Sequence, residues 1–220
     1  MHVAQVFNES ANTLARASLV VAAVALIAGG GLAVALYRSS YVTQVGIAKD
    51  QPIPFSHQRH VAGNGIDCRY CHTSVETGAF AGIPPTETCM TCHSQVLTEA
   101  NLIQPLHDSW NSGAPVRWTR VSDLPDFTYF DHSIHIAKGV GCTTCHGPVD
   151  QMPLTWKAET FHMSWCLQCH RAPEKFVRPK ELVFDVKWTP PTDQFAQGAR
   201  LVEEYGIKKE QLTDCSVCHR

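Results

Sequence analysis

The distribution of apolar and polar positions divides the chain at once. Residues 1–16 form a polar lead containing His2, Glu9 and Arg16, and from Ala17 to Tyr37 the run ASLVVAAVALIAGGGLAVALY carries no charged residue. At 1.5 Å per residue a helix of that length reaches about 31 Å, enough to cross the hydrocarbon core of a bilayer. The run therefore predicts a single transmembrane helix over residues 17–37. Ala33-Val34-Ala35 offers a small-x-small cleavage pattern, but the apolar stretch is longer than that of a typical signal peptide and fits a retained anchor. Ala25, Gly29 and Ala33 stand four apart, a spacing that lets a second membrane helix approach closely. Residues 38–50 read as a polar linker. Beyond them the pattern predicts short helices joined by irregular chain. Residues 94–128, with Pro105, Pro115 and Pro125, predict extended connections rather than a long helix. Residues 173–214 resemble them, with Pro190-Pro191 preceding a helix predicted near Asp193–Glu204.

One five-residue word then changes the picture. Cys-x-x-Cys-His occurs at Cys68/Cys71/His72, Cys89/Cys92/His93, Cys142/Cys145/His146, Cys166/Cys169/His170 and Cys215/Cys218/His219, and these words hold all ten cysteines. It is the attachment signature of haem c. Two thioethers hold the porphyrin edge, and the adjoining histidine ligates iron from one face. A zinc site needs cysteine pairs taken two at a time, or histidines at other spacings. A disulfide framework gives no reason for a histidine after every second cysteine. The expected cofactors are five covalently bound haem c groups.

The words sit in an internal repeat. Phe55-Ser56-His57-Gln58-Arg59-His60 is echoed by Phe130-Asp131-His132-Ser133-Ile134-His135, and His57, His60, Cys68 and Cys89 recur after shifts of 75, 75, 74 and 77 residues. Landmarks moving together by nearly one interval define an architecture. The unit is a His-x-x-His followed by two haem words. It predicts a first dihaem module at residues 51–110, a connector at 111–128, a second dihaem module at 129–172 and a C-terminal segment at 173–220 with the fifth haem. Each His-x-x-His is expected on a short helix, since positions three apart share a face.

Five haems have ten axial positions, of which the motif histidines fill half. His2 precedes the membrane run and cannot serve. An iron takes its ligands from opposite faces, so His57 and His60, adjacent on one turn, must serve two different haems, and so must His132 and His135. The fifth distal position has three candidates: Met163, His162 and His107. Met163, three residues before Cys166, is the preferred one; a His/Met iron sits at higher potential than a His/His iron. Met90 lies inside a haem word and is poorly placed to reach an iron. No catalytic residue is expected.

Composition adds two exclusions. Charged residues make up 17% of the chain, below the usual quarter, as expected if porphyrin faces supply apolar surface. The 18 Lys and Arg form no dense basic run, which excludes nucleic acid as a partner. Haem c is attached outside the cytoplasm, so the haem domain is expected on the periplasmic side of a cell inner membrane.

The Phe-x-His-x-x-His word upstream of a haem word resembles the multihaem cytochromes of the c3 and c7 type, where the two histidines are distal ligands to separate haems. A larger set of features covers most of the chain. It comprises the N-terminal anchor, Phe55-Ser56-His57-x-x-His60, Trp118 to Pro125 leading into Tyr129-Phe130-Asp131-His132-x-x-His135, Met163-Ser164-Trp165-Cys166, and five haem words. This resembles the pentahaem subunits of alternative complex III, a quinol-oxidising membrane complex. The resemblance implies a fold of short α-helices and irregular chain on one transmembrane helix. It implies electron transfer from quinol to a soluble periplasmic acceptor, and as partners an iron–sulfur subunit, polytopic membrane subunits and a monohaem cytochrome c. Two other functions compete. A self-sufficient tetrahaem-anchor quinol dehydrogenase usually shows a methionine shortly after a haem word, whereas Thr73, Ser94, Gly147 and Arg171 follow the first four here. A catalytic multihaem reductase needs an iron with an open face, and the distal ligands suffice to close all five.

Overall fold

The computed structural model describes residues 7, 8 and 10–219; His2 and Glu9 of the lead lie outside them. The chain divides into two units, residues 1–44 and 45–220. In the first, α1 (Ala11–Arg38) is followed by the single turn α2 (Ser40–Thr43). The helix extends past the charge-free run at its N-terminal end, because Ala11, Leu14 and Ala15 are good helix formers whether or not they sit in lipid. Its residues are almost all exposed, Leu19, Val24, Leu26 and Ile27 among them. It is long and apolar enough to cross a membrane.

The second unit contains α3 (Cys68–Cys71), α4 (Thr86–His93), α5 (Gln104–Ser112), α6 (His132–Ala137), α7 (Cys142–His146), α8 (Met163–Arg171), α9 (Gln194–Glu204) and α10 (Cys215–Cys218), with short 3-10 turns between them. Among the described residues there are only isolated β-bridges, such as Val45 with Lys157 and Ala48 with Trp156. Every haem word lies on a helical turn, which sets its two cysteines on one face. Asp67 caps α3 by accepting the Arg69 N–H, and Asp131 caps α6 by accepting that of Ser133.

Two expectations are modified. The segment 94–128 contains α5, a nine-residue helix that starts through Pro105. Proline in the first turn loses no hydrogen bond, since that N–H has no intrahelical acceptor; Gly113, at φ 71°, ends the helix. The first His-x-x-His also differs from the second. His132 and His135 lie on α6, whereas His57 caps a wide π-helical turn, Gln58–Gly63, that carries His60. The predicted helix near residues 193–204 is α9.

Two small apolar clusters hold the chain. Ile53, Met90, Ile103 and Leu106 form one, with Trp118 against it, so Met90 is a core residue. Val177, Leu201, Val202 and Tyr205 form the other. α9 packs on the turn Pro173–Lys175 at Gly198, where a Cβ would collide with the Glu174 carbonyl oxygen. Backbone cannot yield as a side chain does. Gly198→Ala is therefore expected to cost about 1–3 kcal/mol of stability, read as an earlier denaturant midpoint with haem content unchanged.

Candidate haem centres

The repeated phenylalanine, to which sequence reasoning gave no role, clamps both histidines of its module. Phe55 meets His57 edge-on at 5.0 Å and stacks on His60 at 4.3 Å; Phe130 meets His132 and stacks on His135 at 4.8 and 4.5 Å. The interplanar angles agree between modules, 88° and 28° in the first, 88° and 27° in the second. The repeat is thus a repeat of ring geometry, and the phenylalanine two residues ahead of each His-x-x-His was its signal.

Each of these histidines faces one motif histidine. Ring centres are 6.5 Å apart for His57 and His72, 6.2 Å for His60 and His93, 6.3 Å for His132 and His146, and 6.2 Å for His135 and His170. Two imidazoles on opposite sides of one metal, with bonds of about 2.0–2.1 Å and a ring radius of about 1.2 Å, would have centres about 6.4 Å apart. In each module the first histidine meets the nearer haem word and the second the farther one.

Hydrogen bonds fix which nitrogen is available. Nδ1 donates to a backbone carbonyl in His60 (Ser56), His72 (Gly82), His93 (Val96), His132 (Ala79), His135 (Asp131), His170 (Leu212) and His219 (Phe127), at 2.7–3.1 Å. A carbonyl can only accept, so Nδ1 carries the proton and Nε2 keeps its lone pair for a metal. His57 Nδ1 lies 3.0 Å from the Thr155 hydroxyl. Burial, then the facing His72, His60 and His146, holds the pKa of His57 down to about 4. Burial, with His132 and His72, does the same to His146. Both rings are neutral at physiological pH, as ligation requires.

The cysteines suit thioethers. All ten are unpaired. Burial pushes the Cys145 thiol up to about 12 and Cys169 up to about 11, against ionised sulfur and in favour of an uncharged one. Among the described residues no three His, Cys, Asp or Glu side chains converge as a tetrahedral zinc site needs.

The ten cysteines are not alike, as one repeated word would suggest. Cys68, Cys71, Cys89, Cys142, Cys145, Cys166, Cys169 and Cys218 are half-buried, whereas Cys92 and Cys215 are exposed. The difference within the second word follows from its core residue. Met90 turns α4 into the apolar cluster, and Cys89 beside it packs against that cluster. Cys92, two positions after Met90 and so about 200° further round the helix, is carried outward. Its Sγ accepts only a weak 3.8 Å hydrogen bond, from the neighbouring Thr91 hydroxyl. The protein core thus covers one sulfur of this word more than the other.

Neighbouring words approach one another in a definite order. Tyr70 Oη bonds Thr91 Oγ1 at 2.9 Å between the first and second words. The unbonded thiols of Cys68 and Cys142 lie beside each other and bring the first and third words together. Cys145 lies within electrostatic reach of Cys166 and Cys169, and Cys166 within reach of Cys218. By direct interaction among the first three and by charge reach beyond them, the order is second, first, third, fourth, fifth. The modules also interlock, for His132 leans through both N–H and Nδ1 on the Ala79 carbonyl of the first module.

The candidates for the fifth distal position separate. Met163 opens α8 with its side chain 66% exposed, one turn before Cys166. His162 caps the same helix, its backbone N–H donating to Thr160 Oγ1. His107 lies on α5, packed on α4 and the second word, with Nε2 buried and without a hydrogen-bond partner.

Residues 128–220 match the sequence model of the family described as cytochrome c7 and related cytochrome c. A stretch of 99 residues is 39% identical to the menaquinone reductase, multiheme cytochrome c subunit, of Nitratidesulfovibrio vulgaris. The aligned stretch is 44% of this chain and 46% of that protein, so the chain spans about half the length of this relative. Residues 128–220 are thus similar to c7-type cytochromes, and the Cys-x-x-Cys-His words within them fit covalently held haem c.

Proposed function

We propose that the protein is a membrane-anchored pentahaem cytochrome c that carries electrons between a quinone-active membrane complex and a soluble periplasmic acceptor. The observation that carries this reading is the set of four facing histidine pairs at 6.2–6.5 Å, each beside a Cys-x-x-Cys turn. In it, the ten motif cysteines hold the porphyrins, and His72, His93, His146, His170 and His219 are proximal ligands. His57 serves the first haem, His60 the second, His132 the third, His135 the fourth and Met163 the fifth. When bound, each haem supplies a one-electron iron couple, and five in a row give charge a path. The residues hold two donors on each iron, keep the imidazoles neutral and exclude substrate from the metal, so the chain acts as a conductor rather than a catalyst. The apolar α1 supplies a single-pass inner-membrane anchor. Partners of the alternative complex III type, with iron–sulfur, polytopic and monohaem subunits, fit this arrangement.

A second reading concerns direction. The relative is named a menaquinone reductase, and a line of closed irons conducts either way. A fifth haem with the highest potential would favour flow from quinol outward, and one with the lowest would favour flow toward quinone. A pyridine haemochrome assay tests the proposal itself. Five equivalents per chain, all low-spin when oxidised, are expected; fewer than five, or a high-spin signal that grows with cyanide, overturns it.

A further inference from the structure

Behind the third haem word lies a buried cation that takes no part in the proposed ligation. Arg178 is 3% exposed. Its Nη2 donates to Thr143 Oγ1 at 3.4 Å and Thr144 Oγ1 at 3.1 Å, and its Nη1 to the Asp185 carbonyl at 3.4 Å. The guanidinium lies 4.0 Å from the centre of the Trp188 ring, and its Nε is buried without a partner. No carboxylate comes within 4.0 Å of it among the described residues, although Asp185 is near enough to act through space. Gly141, the residue before Cys142, faces the guanidinium so closely that a Cβ there would collide with Cζ. The approach to the word is shaped around this charge.

Burying a guanidinium with no carboxylate of the described chain paired to it is costly, and the pKa of Arg178 is lowered by that burial. If the side chain were needed only to fill space, an apolar residue on Trp188 would do so at less cost. A buried positive charge has one specific consequence for an iron centre beside it. It favours the reduced state, which carries one positive charge less, and in a low-dielectric setting the effect is weakly screened. We propose that Arg178 is a positioning and tuning residue that raises the reduction potential of the haem held by Cys142, Cys145 and His146. The third word is the middle of the order of approach, so this charge acts on the centre of the line. The inference rests on the proposed haem at this word.

The test is a spectroelectrochemical titration of the full-length protein in detergent, with haem content measured on the same samples. Arg178→Met is expected to shift one of five components about tenfold toward the oxidised form, 59 mV for one electron. That component should be the one which His132→Met displaces. Arg178→Lys, which keeps the charge but cannot bridge both threonines, should restore most of the shift. Asp185→Asn removes the nearest negative charge at an exposed site and should move the same component the opposite way. Equal shifts for Met and Lys, or five unchanged components, overturn the proposal. Should Arg178→Met fail to assemble, Arg178→Gln decides: a lowered component supports the role, and an unmoved one at full haem content removes it. Full haem content with no shift rejects only the tuning role, whereas fewer than five haems in the unmodified protein rejects the haem assignment beneath it.

Discussion

Replacing His57 and His60 together by alanine is expected to leave two of the five haems high-spin, not one. Each histidine of the pair faces a different motif histidine, His72 at 6.5 Å and His93 at 6.2 Å. The single variants should each open one iron, and the double variant their sum, because the two rings share no acceptor: His60 Nδ1 bonds the Ser56 carbonyl, and His57 Nδ1 faces Thr155. Added imidazole should return both to low spin, since Phe55 still walls the cavity. The electron paramagnetic resonance spectrum reads the outcome directly. A double variant with a single high-spin haem would mean that both side chains serve one iron, and the pairing would fail. His132→Ala with His135→Ala should repeat the result on the third and fourth haems, for Phe130 holds that pair in the same geometry.

This pairing shows what the sequence could and could not convey. The five haem words were legible because covalent attachment demands one spacing whatever the surrounding fold. That the two rings of each His-x-x-His face different partners was also legible, because neighbours on one turn cannot reach opposite faces of one porphyrin. Which motif histidine each faces was not, since that depends on how the chain closes between Gly63 and Cys68 and again before Thr86. The unequal shielding of Cys89 and Cys92 was hidden too, for it follows from Met90 entering a core that spacing does not reveal. The groups that orient the rings left no trace at all. Gly82, Val96 and Leu212 act through their carbonyls, and a backbone oxygen has no letter of its own. α5 was hidden because Pro105 reads as a breaker unless the first turn is known to begin there. Arg178 reads as a surface charge among prolines, and only Gly141 and Trp188 closing over it reveal its burial.

Met163→His is the change expected to move a potential furthest. Met163 and Cys166 are three apart on α8 and share a face. Cys166 lies within electrostatic range of Cys218, so this face of α8 is on the side of the fifth word. His219 donates from Nδ1 to the Phe127 carbonyl, which leaves Nε2 to hold the iron if the fifth haem binds there, with Met163 to hold it as the second ligand. His107, on the helix packed against the second word, belongs to the other end of the contact order. A thioether favours the reduced iron and an imidazole the oxidised one, and axial ligands as a class span roughly 0.8 V. The exchange should therefore lower one midpoint by on the order of 0.1 V, which at 59 mV per tenfold is a change of about fiftyfold in that haem's reduction equilibrium. Its low-spin character should survive, because imidazole closes the site as well as sulfur does. His162→Ala serves as the control and should leave all five potentials in place. If Met163→His moves none of them while His162→Ala produces a high-spin haem, the distal role passes to His162. The line would then end on a His/His iron, and the argument from potential for outward flow through the fifth haem would fall with it.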